Sequence, residues 1–239
     1  MIYFIGDIHG QFKQLVSLLK KSNIQNSVLI QVGDFGTGLK RDESLELDIL
    51  NQFLLSQKNK LYIIRGNHDD PSYFINTTSR GNITFLKDYT ILDVDEKKIL
   101  LAGGSISIDR GERVEGNSYW KNEGFAFSKE SLVKSLGGLK SIDIVVTHNA
   151  PAEFWPFDFD EDTLHFMERD KDLQKDLLDE RMAHSDLMAY LEKLGLLPKV
   201  WYYGHYHKSL ITEYNGISYR ILNAMEIVKH ESEIETNNC

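Results

Sequence analysis

The chain has 239 residues, 41% of them hydrophobic and 26% charged, with a formal net charge of -9. That usage is ordinary for a soluble globular chain and excludes wholesale disorder, while the acidic balance opposes sequence-independent attraction to nucleic acid. A single cysteine, Cys239, excludes both a disulfide framework and a cysteine-based zinc site, so a bound metal would be held by nitrogen and oxygen.

The length and the absence of a Pro/Gly/Ser-rich linker predict one domain over residues 1–239, with a frayed polar tail over residues 229–239. Apolar runs are too short to span a bilayer and no secretory leader opens the sequence, which predicts a cytoplasmic chain without membrane contact. Ile2 to Ile5 reads as a buried strand, followed by Gly6-Asp7-Ile8-His9-Gly10 and a helix with Phe12, Leu15, Val16 and Leu19 on one face. Val28 to Val32 repeats the strand signal before Gly33-Asp34. Leu45, Ile49, Phe53 and Leu54 mark a second helix, and Leu61 to Ile64 a third strand before Gly66-Asn67-His68-Asp69. This alternation predicts parallel strands with helical crossovers.

Beyond Asp69 the pattern turns to short β-rich runs, Ile83 to Leu86, Thr90 to Val94 and Lys98 to Ala102, where a second sheet is expected to begin. Ile142 to Val146 forms another buried strand ending at Thr147-His148-Asn149-Ala150-Pro151. The acidic segment Phe154 to His184 opens as a loop or lid, its run Asp158 to Asp162 reading as a mobile rim or a solvated loop. Leu187, Tyr190, Leu191 and Leu194 then mark a helix closing at Gly195. Val200 to Tyr203 returns to strand before Gly204-His205-Tyr206-His207, and Asn215-Gly216 marks a hairpin between Leu210 to Tyr214 and Ile217 to Leu222.

In open sheets with parallel strands, ligands bind beyond the carboxyl ends of the strands. Asp7 and His9, Asp34, Asn67 and His68, His148, and His205 and His207 all stand at such ends, four of the five groups directly after glycine. Five of the eight histidines are there, whereas His165, His184 and His230 read as surface residues. Each piece alone has a structural alternative: Asn67 as a turn hydrogen-bonder, His148 as a satisfied strand-end histidine. The ordered set is what points to a metal site, and carboxylate with imidazole suits Mn, Fe or Zn.

Asp7-Ile8-His9, Gly33-Asp34, Gly66-Asn67-His68-Asp69, Thr147-His148 and Gly204-His205-Tyr206-His207 resemble, in order, the five signature blocks of the calcineurin-like metallophosphoesterases. The resemblance implies an α/β (α+β) fold, a four-layer αββα sandwich of two mixed sheets flanked by helices. It implies two divalent metal ions, Mn or Fe first and Zn next, with Asp7, His9 and His207 on one, Asn67, His148 and His205 on the other, and Asp34 bridging. A hydroxide shared by the two ions would attack phosphorus in line. His68 resembles the family histidine that serves the leaving oxygen, with Asp69 orienting it.

The sequence departs from the protein Ser/Thr phosphatase branch after Asp34, where Phe35-Gly36-Thr37-Gly38 replaces an arginine-bearing continuation. Gly103-Gly104-Ser105-Ile106-Ser107-Ile108-Asp109-Arg110 resembles a block of simpler members, and Arg110 or Arg113 is the candidate phosphate contact, with a surface turn arginine as the alternative. Tyr119, Trp120, Phe154, Trp155 and Phe157 read as core before they read as an aromatic wall. The function expected is hydrolysis of phosphate mono- or diesters of a small phosphorylated substrate. The alternatives are a nuclease or nucleotide hydrolase on the same site, with net charge disfavouring nucleic acid, and a catalytically silent interaction module.

Overall fold

A computed structural model describes residues 1–39 and 43–230. Two mixed sheets face each other. The first has the order β12-β1-β2-β3-β5-β4, from β1 (Ile2–Ile5), β2 (Val28–Gln31), β3 (Lys60–Ile63), β4 (Thr78–Arg80), β5 (Ile83–Phe85) and β12 (Ile227–Lys229). The second has the order β10-β11-β9-β8-β7-β6, from β6 (Thr90–Val94), β7 (Lys97–Ala102), β8 (Ile144–Thr147), β9 (Val200–Tyr203), β10 (Leu210–Tyr214) and β11 (Ile217–Ile221). In each sheet four parallel strands lie between two antiparallel edge strands.

The period-two alternation of strand side chains builds the layers. Ile2, Phe4, Ile30, Ile99, Leu101, Ile144, Val146 and Tyr202 fill the space between the sheets. The opposite faces, Ile5, Leu29, Leu61 and Ile63, pack with residues of α1 (Phe12–Lys21) and α2 (Ser44–Ser56). On the far side, Leu100, Val145, Trp201 and Tyr203 pack with residues of α3 (Lys129–Leu136) and α5 (Leu173–Lys193). The result is the four-layer αββα sandwich, in which truncating a wholly buried residue such as Ile144 to Ala would cost about 2–5 kcal/mol.

Several local expectations are corrected. The run at Ile83 stays with the first sheet, because Ile83 pairs in parallel with Leu61; the second sheet starts at β6. In α2 the buried stripe is Leu47, Leu50 and Leu54, while Leu45 and Ile49 are exposed, so of two helical stripes the packing chose the other. The acidic segment opens as a loop through Asp160, as expected, but turns helical at Glu161: α4 (Glu161–Arg169) is capped by Asp160, which accepts the Thr163 N–H at 2.9 Å. Its carboxylates sit at a helix N-terminus, where the exposed N–H groups favour them. Helix α5 begins at Leu173, far earlier than its clearest apolar stripe, and it buries His184 completely against Phe125. Lys229 pairs with Tyr3 in β12, so of the expected tail only residues 231–239 remain, outside the described residues. No described helix is long and apolar enough to cross a membrane.

Candidate metal centre

The loops after β1, β2 and β3 of one sheet meet those after β8 and β9 of the other. Four of the candidate ligands take left-handed backbone conformations, His9 (φ 49), Asp34 (φ 57), His205 (φ 70) and His207 (φ 49). Side chains other than glycine rarely adopt these, and they concentrate where geometry serves function. The neighbouring glycines are required for space as well as for turning. A Cβ at Gly66 would lie 2.1 Å from Asp34 Oδ1, and one at Gly204 would lie 2.3 Å from Asp7 Oδ1.

Hydrogen bonds lock the loops together. The Ile8 and His9 N–H groups donate to the Asp34 carbonyl at 2.9 and 2.8 Å, and the His205 N–H donates to Asp7 Oδ2 at 3.1 Å. Gln31, buried at the end of β2, accepts the Gly33 N–H at 3.0 Å and donates to the Gly6 carbonyl at 3.4 Å, tying the Asp7 turn to the Asp34 turn. Its polarity inside an apolar strand was the sequence signal for this role.

The expected ligand atoms converge. His207 Nε2 lies 3.1 Å from Asp7 Oδ2 and 2.9 Å from His9 Nε2. His148 Nε2 lies 3.3 Å from Asp34 Oδ1 and 3.2 Å from Asn67 Oδ1, and His205 Nδ1 lies 3.1 Å from that amide oxygen. Asp34 reaches both groups, its Oδ2 lying 3.8 Å from His9 Nδ1. Three sets of donor atoms lie within 4.8 Å of one another: Asp7, His9 and His207; His9, Asp34 and His68; and Asp7, Asp34 and His148. Ligands bound to one ion at about 2.1 Å stand about 3 Å apart, so these spacings fit divalent cations.

The electrostatics call for positive charge at the same place. Burial opposes protonation of His148, yet Asp34 and Asp7 outweigh it and lift its pKa to about 10. Burial likewise works against the charge of Asp34, and His148, His68 and His9 hold it well below the carboxylate range. In the absence of a cation a proton on imidazole fills the role; nitrogen and oxygen donors of this kind would release it to a metal. The His148 Nδ1 sits 2.8 Å from the Val32 carbonyl, which takes its N–H and leaves Nε2 to the site.

His68 stands at the edge of this cluster, its ring edge-on to His9 at 4.8 Å and its N–H donating to Asp34 Oδ1 at 2.7 Å. Asp69 does not orient it, which corrects the expected role. Its carboxylate instead accepts four N–H groups, Phe35 at 3.1 Å, Gly36 at 2.7 Å, Thr37 at 2.9 Å and Gly66 at 2.8 Å, and so clamps the loop after Asp34 to the loop before Asn67. Burial, and then the nearby Asp34, raise Asp69 to about 6. The group beside His68 is Arg113, whose Nη2 lies 3.0 Å from His68 Nε2. Burial lowers the His68 pKa, and Arg113 adds to that against the pull of Asp34, favouring neutral imidazole.

Of the two candidate arginines, Arg110 is taken up by Asp170 at 2.6 Å and Asp176 at 2.8 Å, which corrects its placement as a substrate contact. Arg113 is anchored through Nε to Asp109 at 2.6 Å and keeps its other nitrogens by His68 and the Ser118 carbonyl. Of the aromatics, Phe154 is core and stacks on Tyr219, whereas Phe157 is exposed and Tyr119, Trp120 and Trp155 are half-buried. Two buried carboxylates that the sequence did not single out, Glu123 and Glu180, stand behind the loop after β7.

A symmetrical bis(5'-nucleosyl)-tetraphosphatase of Buchnera aphidicola subsp. Schizaphis graminum (strain Sg) is 32% identical over 127 residues, a match that spans 44% of this chain and 45% of that protein. Among solved structures, an archaeal phosphodiesterase superposes with a TM-score of 0.39 at 11% identity, over 93% of this chain and 83% of that one. Vacuolar protein sorting 29 of Cryptosporidium parvum gives 0.37 at 14%, over 93% and 73%. The model of the calcineurin-like phosphoesterase family matches residues 1–209, which include all five strand-end loops, and the chain belongs to that family.

Proposed function

We propose that this chain is a metal-dependent phosphoric ester hydrolase that works with two divalent cations, Mn or Fe first among them, on a small phosphorylated substrate. The observation that carries the two-ion reading is the position of Asp34, with Oδ1 toward His148 and Oδ2 toward His9. Asp7, His9 and His207 would hold one cation, Asn67, His148 and His205 the other, and Asp34 would serve both. When bound, such ions neutralise phosphoryl oxygens and lower the pKa of a water molecule.

The chain's own residues supply the rest. Val32, by accepting the His148 Nδ1–H hydrogen bond, turns Nε2 toward the site. His68, at the edge of the cluster, would give a hydrogen bond to the leaving oxygen, and Arg113 beside it would take a non-reacting phosphoryl oxygen. The relative's name points to nucleotides as the first substrate class to assay, and the net charge of -9 points away from long nucleic acids.

The test is to strip the protein of metal, restore Mn, Fe, Zn or Mg singly, and assay an aryl phosphate monoester, an aryl phosphodiester and dinucleoside polyphosphates. Hydrolysis restored by at least one metal is expected. Failure with every metal and substrate would overturn the hydrolase and favour a binding module.

A further inference from the structure

The loop after β7 contributes two buried serines, Ser105 and Ser107, that no step above uses. Each touches a residue of the same half of the centre, and each is backed by a buried carboxylate. Ser105 Oγ lies 3.3 Å from His205 Nε2 and donates to Glu180 Oε2 at 3.0 Å. Ser107 Oγ accepts from Asn67 Nδ2 at 3.1 Å, and its main-chain N–H donates to Glu123 Oε1 at 2.7 Å.

We propose that Ser105 with Glu180 and Ser107 with Glu123 are two positioning relays, which fix the tautomer of His205 and the rotamer of Asn67 for one of the two cations. The inference rests on the two-ion reading above.

The polarity of each hydrogen bond follows from what its far end is able to do. Glu180 is surrounded by donors: Phe125 N–H at 2.9 Å, Ile106 N–H at 3.2 Å, Asn149 Nδ2 at 2.8 Å and the Ser105 hydroxyl. Oε2 already accepts the Ile106 and Asn149 N–H groups, so toward Ser105 it is an acceptor and has nothing to donate. The Ser105 proton therefore points at Glu180. Its oxygen can then only accept from the histidine, which puts the ring proton of His205 on Nε2 and leaves the Nδ1 lone pair facing Asn67 Oδ1 at 3.1 Å.

The second relay fixes the amide of Asn67: its Nδ2 donates to Ser107 Oγ at 3.1 Å while its Oδ1 lies 3.1 Å from His205 Nδ1 and 3.2 Å from His148 Nε2, so the amide nitrogen faces Ser107 and the amide oxygen faces the centre. Glu123 is itself fixed: its Oε1 accepts the Ser107 N–H at 2.7 Å, and Arg65 donates to the carbonyls of Asn122 at 3.3 Å and Gly124 at 3.1 Å on either side of it. With His148 Nδ1 donating to Val32, Nε2 of His148, Nδ1 of His205 and Oδ1 of Asn67 converge on one point, where a cation would take the place of the imidazole proton. Asp7, His9 and His207 have no contact with either serine among the hydrogen bonds described.

The experiment titrates the full-length, metal-stripped chain with Mn²⁺ alone by calorimetry, comparing wild type with Ser105→Ala, Ser107→Ala, Glu180→Gln and Ser105→Thr. The alanine variants and Glu180→Gln are expected to lose about 10- to 100-fold in affinity for one ion while the other stays within about twofold, as loss of a ligand's supporting hydrogen bond does. Ser105→Thr, which keeps the hydroxyl, is expected to restore most of the loss. In metal-free protein, ¹⁵N shifts of the His205 ring should report Nε2–H in wild type and a mixed tautomer in Ser105→Ala.

Equal weakening of both ions, or unchanged affinity in Ser105→Ala and Ser107→Ala, would overturn the relays. If Glu180→Gln fails to fold, the Ser105 pair decides. A wild-type stoichiometry below two defeats the two-ion reading instead; loss of the remaining ion's affinity in Ser105→Ala would then still support the relay, and its retention would overturn it.

Discussion

Each half of the centre pairs two histidines with one oxygen donor, Asp7 on one side and Asn67 on the other, but the halves sit at different depths. On one side His9 and His207 keep 23% and 48% of their side-chain surface in solvent, with only Asp7 buried. On the other, His148 is wholly buried, Asn67 is 3% exposed, and a main-chain carbonyl and two serines hold the donors in place. A similar donor count thus coexists with asymmetry of charge and of support. The deeper half, in which only His205 is partly exposed, is held by a carbonyl and two serines, whereas in the open half Asp7 is held by the His205 N–H and His9 and His207 meet directly. One element is common to both, Asp34, and the comparison is most easily broken there.

Asp34→Ala is expected to reduce metal stoichiometry from two to at most one and to lower kcat/KM by on the order of 10³-fold, since it removes the shared carboxylate and unpairs His148. Elemental analysis of the purified variant reads the stoichiometry; retention of both ions would sink the bridging assignment. Next in size, His68→Ala should lower turnover by about 10²-fold while both ions stay bound, if His68 has the proposed role of proton or hydrogen-bond donor. Loss of an ion in that variant would move His68 into the metal set, a possibility that its grouping with His9 and Asp34 makes worth measuring.

Strand ends were legible because an apolar run followed by Gly and a metal-type residue is a local pattern, and β1, β2, β3, β8 and β9 end where the sequence placed them to within two residues. What the sequence hid is long-range. Glu180 meets Ser105 across 75 positions, and nothing in the acidic, weakly periodic stretch before Leu187 distinguishes the one glutamate that turns inward. His184 was misplaced on the surface for the same reason. Asp69 misled through adjacency: it follows His68 in the chain, but its carboxylate turns to the N–H groups of residues 35 to 37, which no other residue satisfies among the bonds described.

That clamp gives a third prediction, on stability and not on chemistry. Asp69→Asn replaces an oxygen that accepts two N–H groups with a donor, leaving buried donors unpaired, and should cost about 3 kcal/mol or more in denaturant unfolding of the metal-free chain. A loss below about 1 kcal/mol would mean that the loops hold together without it.

The smallest expected effect reads the asymmetry of the two halves directly. A chelator in excess should strip the Mn²⁺-loaded protein in two phases, the faster at least about tenfold ahead, because solvent-exposed His9 and His207 let a competing ligand in while His148 and Asn67 do not. His207→Ala should accelerate the fast phase or remove it from the start, and leave the slow phase within about twofold. If both ions left together, or if His207→Ala quickened the slow phase, burial would not be what separates the halves. The ions would then be coupled through Asp34, and the support given by Ser105 and Ser107 would serve the pair.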